Sequence, residues 1–168
     1  MFNVTKLLQT SINLDNQMFE QRDLLIGPSA HLQHAMINLD QALSNLYQVS
    51  DNQYELHFGK AVKSNQLQAY TLVLHWALVI SARLKWTHLV VLDDEQWQKI
   101  QTLEPTTKMV ELDKEFLAIK NLLFQSYYTH RQTYFKHAWH LLLKLGLIDY
   151  RLDPAKIVAT QAELNDLI

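Results

Sequence analysis

QAYTLVLHWALVISARLKW, residues 68–86, is the stretch on which the fold turns. From Ala69 to Ile80 only Thr71 and His75 interrupt the apolar run, so it reads as one helix buried on nearly all sides. Between Leu56 and Leu92 there is no Asp or Glu. In a small all-helical protein, a helix in this position is where a metal site built from carboxylates would sit, and here it carries none.

Outward from this stretch the pattern stays helical. Leu7, Leu8, Ile12, Leu14 and Phe19 give residues 4–20 an apolar face, which Gly27-Pro28 closes off. Ser29 is placed to cap a second helix over residues 30–49, with Leu32, Met36, Leu39, Leu43 and Leu46 near the helical period. The polar connection SDNQYELHFGKAVKSNQ follows. After the quoted helix, Asp93 or Asp94 is a cap for a short helix through Gln101, and HLVVL is the one strand candidate. Further helices are predicted over 108–128 and over 131–145, the latter stopping at Gly146, and one opens at Asp153-Pro154 and runs to the C-terminus. The fold class expected is all-α, one domain over residues 1–168, a bundle of five to six helices.

Bulk properties narrow the function classes. Three Gly and three Pro in 168 residues suit helices joined by short connections. An apolar share of 48% excludes disorder, and a net charge of −2 argues against a general nucleic-acid binder. The absence of Cys excludes disulfides, thiolate metal sites and a thiol nucleophile. The N-terminus lacks a signal-peptide pattern and no apolar run is long enough to span a bilayer, so a cytoplasmic protein without membrane partners is expected.

The order of segments resembles the dimeric dUTPases of the all-alpha nucleoside-triphosphate pyrophosphatase superfamily, over most of the chain. SINLDNQMF is similar to the first-helix segment, AMINLDQALSN to the second, and AYTLVLHWALVISARLKW to the helix carrying the second acidic pair. The longest match is FLAIKNLLFQSYYTHRQTYFKHAWHLLLKLGLIDYRLDPAKIVATQAELN, similar to the C-terminal hairpin and closing helix. The resemblance implies hydrolysis of dUTP with Mg²⁺ held by carboxylates at i and i+3 on two facing helices, a spacing that puts each pair on one helix face. Carried onto this sequence, the first pair falls on Leu39 and Ala42 and the second on Ala69 and Leu72. None of the four offers an oxygen ligand. Asp40, beside Leu39, points about 100° away around the helix. The glutamine that helps read uracil falls on Ser11, and the tryptophan loop after the second helix and the basic tail have no counterpart. Asp15, Asn45 and the Glu163–Asn165 segment match the pattern, so Ser11, Asp15, Asn45 and Asn165 are the residual nucleotide-site positions it implies.

Other constellations are weaker. His31 with His34, and His137 with His140, have i, i+3 spacing, but no acid at helical spacing completes a metal site. His75, inside the apolar helix, reads as a hydrogen-bonded core histidine. YYTHRQTYFKHAWH mixes aromatics and bases as a single-strand-binding surface would, yet Tyr134, Ala138, Leu142 and Leu145 fall at core spacing. Trp76, Trp86, Trp97 and Trp139 read as core and interface residues. The functional expectation is a pseudoenzyme: a dUTPase-like bundle kept as a non-catalytic binding or regulatory module. It would be a homodimer, with a protein partner or weak nucleotide binding, no nucleic acid, and no cofactor. Two alternatives stand beside it. One is an active nucleotide pyrophosphatase, the only case that brings in Mg²⁺; the other is a helical interaction domain unrelated to nucleotides.

Overall fold

The computed structural model describes residues 2–22, 25–50 and 65–164. The polar connection after the second helix and residues 165–168, Asn165 among them, into which the closing helix is expected to run, lie outside the described residues. The elements in chain order are α1 (Val4–Gln21), α2 (Pro28–Ser50), α3 (Gln66–Arg83), a 3₁₀ turn (Thr87–Leu89), α4 (Asp94–Gln101), α5 (Met109–Thr129), α6 (Gln132–Lys144), a π-helical turn (Leu145–Asp149) and α7 (Pro154–Glu163). The all-α expectation holds, with no strand among the described residues. Among the described residues the α-helices number seven rather than five to six, the capped segment Asp94–Gln101 being a helix in its own right. No described helix is long and apolar enough to cross a membrane. The chain divides into two compact units, Met1–Thr87 with Pro154–Ile168, and His88–Asp153.

In the first unit α3 is packed by α1, α2 and α7. Its burial is nearly all-round: Ala69 to Thr71 and Val73 to Ser81 are buried without a break. The chain covers α3 by itself. The helix starts where Asn65 Oδ1 accepts the Leu67 N–H (2.9 Å) and so satisfies an orphan donor. It stops without glycine. Lys85 takes the left-handed conformation (φ 59), and the Trp86 N–H reaches back to the Ser81 carbonyl (2.7 Å), closing a Schellman turn. α2 begins at Pro28, one residue before the expected cap, since proline's fixed φ and missing N–H suit a first helical position.

The second unit is built on the α5–α6 hairpin, with α4 against α6. Asp93 and Gln96 cap α4 reciprocally, through bonds of 2.8 and 3.0 Å. The strand candidate HLVVL is instead a 3₁₀ turn and an irregular run, tied to α6 where Trp139 Nε1 donates to the Val90 carbonyl (3.0 Å). Tyr134, expected in the core, is half-buried; Phe135, Ala138, Trp139 and Leu142 form the buried face of α6. Gly146 does not stop α6. The helix widens through it, the Tyr150 N–H bonding the Leu145 carbonyl (2.9 Å), and ends at Arg151 (φ 52).

A carboxylate-free cavity and two buried charge clusters

The three longest helices of the first unit border an open cavity of about 400 Å³. α3 gives it Gln68, Ala69, Leu72 and Trp76; α2 gives His34, Asn38 and Asn45; α1 gives Met18 and Arg22. Asn65 and Leu164 complete the wall. No carboxylate stands on it among the described residues. Nor does any group of three or more His, Asp or Glu come together among those residues to hold a metal. Carboxamides dominate the polar surface, and each offers both donors and an acceptor. Asn38 Nδ2 donates to the His34 carbonyl (2.8 Å) and to His34 Nε2 (3.1 Å), so that ring nitrogen accepts. The edge of the His34 ring meets Trp76, with centroids 6.0 Å apart.

The four replaced positions part into two pairs. Ala69 and Leu72 line the cavity, Ala69 buried and Leu72 half-buried. Leu39 and Ala42 are buried (0% and 4% exposed) and are not part of the wall. Leu72 is therefore not the dry core residue its apolar helix suggested; it borders open space.

The residual positions separate in the same way. Asn45 lines the cavity. Asp15 is buried in a clamp across three helices: Arg83 Nη2 donates to its Oδ2 (2.6 Å) and His31 Nε2 lies 3.1 Å from its Oδ1. Phe19 stacks on the His31 ring, with centroids 3.7 Å apart. A charge this buried persists only when paired, so Asp15 holds α1, α2 and α3 together. Ser11 is buried as well, and its Oγ accepts from Gln161 Nε2 (2.6 Å), which also donates to the Leu7 carbonyl (2.9 Å). That bond fastens α7 to α1 in the first unit, and nothing in the sequence reading singled out Gln161.

The histidine pairs do not form sites. His31 turns to Asp15 while His34 turns to the cavity. His137 is exposed; His140 is half-buried, its protonation disfavoured by burial and then by Lys136 and His137. His75 departs from expectation. It is fully buried, yet neither ring nitrogen finds a hydrogen-bond partner among the described residues, and the Trp76 ring packs against it in a T-shape with centroids 5.0 Å apart. Burial lowers its pKa to about 4, against a smaller upward pull from Asp15, so the ring is neutral at pH 7.

The second unit holds a cluster that sequence reasoning missed. Lys144 Nζ lies 2.9 and 3.0 Å from the two Asp149 oxygens, 3.3 Å from Glu115 Oε1 and 2.8 Å from Thr106 Oγ1. The Thr106 N–H donates to Asp149 (2.8 Å) and its hydroxyl to Glu115 (3.1 Å). Two carboxylates thus share one ammonium. Burial raises the Glu115 pKa to about 7, reinforced by Asp149 and opposed by Lys144. The π-turn is what brings Asp149, five residues on, to the face of Lys144.

Searches against family models, curated proteins and solved structures find no match to this chain.

Proposed function

We propose that the chain is a non-catalytic binding or regulatory module, related to the dimeric dUTPases, that takes a small ligand into the first unit's cavity without a metal ion. The observation supporting this is the wall itself. Where the resemblance asks for a carboxylate pair on α3, Ala69 and Leu72 face the space, and the polar groups around them are amides, His34 and Arg22. Mg²⁺ requires oxygen ligands in near-octahedral array, and neutral amides do not supply the charge that two cations would offset. The Trp76 ring in the wall, among carboxamides that donate and accept, suits recognition of a planar, hydrogen-bonding molecule.

The test is a pyrophosphate-release assay over a panel of nucleoside triphosphates with Mg²⁺ or Mn²⁺, run beside calorimetric titration of the corresponding monophosphates in EDTA. The proposal expects no release above background and binding of at least one monophosphate that survives EDTA. Turnover on the order of 1 per second, ordinary for enzymes, would establish the active pyrophosphatase instead. Silence in both arms would favour the helical interaction domain.

A further inference from the structure

From Phe116 to Ile148 the chain carries no Asp or Glu. This stretch makes up most of the α5–α6 hairpin and contains YYTHRQTYFKHAWH, the aromatic and basic segment that the cavity does not use. The fold sorts the segment by side. Phe135, Ala138 and Trp139 are buried in the core of the second unit. Tyr128, His130, Arg131, Lys136 and His137 are left in solvent, with Tyr128 76% exposed. Among the described residues no carboxylate pairs with any of the four basic side chains. Glu115 and Asp149, which bound the stretch, are engaged with Lys144. Glu115 also stands about 21 Å along α5 from Thr129, at the tip. Burial, then Lys136 and His137, lower the His140 pKa, so positive charge gathers on the outer side of α6.

We propose that the tip of this hairpin is a surface for single-stranded nucleic acid, on which bases stack against Tyr127 and Tyr128 while Arg131 and Lys136 hold phosphates. The net charge of −2 does not oppose this, because it averages over a chain whose acids all lie outside residues 116–148. Three features favour this ligand over other anions. The first is the pair of rings. Tyr127 and Tyr128 meet edge to face with centroids 4.9 Å apart, so the exposed Tyr128 ring is braced by its neighbour. A ring of this kind accepts any unpaired base, whereas duplex bases are already stacked on one another. The second is the spacing of charge. Arg131 and Lys136 stand about 7.5 Å apart along α6, so they suit a backbone of repeated phosphates rather than converging on one. The third is what lies between them. Exposed Gln132 and Thr133 offer hydrogen bonds to base edges, where a membrane surface would call for Trp, Phe or Leu. The surface belongs to the second unit alone and does not depend on the reading of the cavity.

Fluorescence anisotropy with the full chain tests the proposal, using labelled oligouridylate and oligothymidylate of about 15 nucleotides to cover the site. Both should bind with a Kd between about 1 and 100 μM. Two phosphate contacts predict that binding weakens about 7-fold between about 50 and 200 mM salt. Tyr128→Ala should weaken binding about 5- to 150-fold and leave the salt dependence unchanged, and Tyr128→Phe should restore the affinity. Arg131→Glu with Lys136→Glu should abolish binding and leave far-ultraviolet circular dichroism unchanged, since both side chains are in solvent. No anisotropy change at about 50 mM salt and up to about 100 μM protein would overturn the proposal. So would equal affinity for a duplex or an unaltered affinity in Tyr128→Ala, either of which would mark a general polyanion surface. Binding of vesicles of phosphatidylcholine and phosphatidylserine in place of the oligonucleotides would overturn it in favour of a membrane.

Discussion

Replacing Glu115 with Gln should remove a pH-dependent part of the protein's stability and leave it more stable in mild base. Glu115 and Asp149 share Lys144 in a nearly closed space, their side chains 8%, 1% and 13% exposed. The Glu115 pKa rises from 4.5 to about 7, chiefly because burial penalises its charge. The folded protein therefore holds this proton more tightly than the unfolded chain does. The resulting stabilisation is complete below about pH 4.5 and is lost as pH rises through about 7. At about 1.36 kcal/mol per unit, the shift corresponds to roughly 3 kcal/mol between the two limits. Glutamine keeps the shape and a hydrogen-bond donor for Asp149 but cannot ionise. The variant should match the wild type near pH 5 and exceed it by about 1–3 kcal/mol near pH 8. Urea unfolding of both proteins at closely spaced pH values measures this. The difference between the two curves isolates Glu115 from every other titratable group. Curves that run parallel from pH 5 to 8 would show that Glu115 is ionised throughout and that the cluster is an ordinary ion pair.

Leu39→Ala should cost about 2–5 kcal/mol in chemical denaturation, since the side chain is fully buried. Leu72→Ala, at the cavity edge, should cost under about 1.5 kcal/mol; equal losses would mean the cavity is closed in solution. Asp15→Ala strands Arg83 and His31 without their shared carboxylate and should cost about 3–5 kcal/mol, measured the same way. His75→Phe should be neutral or stabilising, because no hydrogen bond is lost and an unpaired polar ring leaves the core; a fall in thermal midpoint of several degrees would point to a bound water bridging His75.

The sequence made the helices legible wherever a local signal was strong. Asp93 capped α4, Pro154 opened α7 after Asp153, and the apolar density of α3 announced its burial. The expected end of α5 at residue 128 falls one residue from Thr129, but the device that ends α3, α5 and the π-turn carries no glycine to announce it: Lys85, His130 and Arg151 take the left-handed backbone themselves. Gly146 misled for the same reason in reverse. The cavity was hidden more deeply. When a helix is apolar all round, its periodicity carries no phase, and nothing marks Leu72 rather than Leu74 as the residue that borders open space. Asn38 and Gln68 are polar residues on helices, which in sequence look like any solvated face. The resemblance pointed to positions 69 and 72 only because it brought an outside template. The Lys144 cluster gathers residues from 106 to 149, and no spacing rule links them.

The π-turn at Leu145–Asp149 has an arithmetic consequence. A helix that closes one bond over five residues instead of four has absorbed one extra residue without expelling it as a loop. Deleting a single residue there, Leu147 for instance, would let the segment relax into a regular α-helix. Lys144 and the aspartate would then stand four apart, the ordinary spacing for a pair along one helix face. The ion pair would survive the loss, because five π-helical residues and four α-helical ones turn the chain through nearly the same angle. The turn thus lets the chain hold one residue more than a regular helix needs between the partners of the ion pair, at almost no change in their facing.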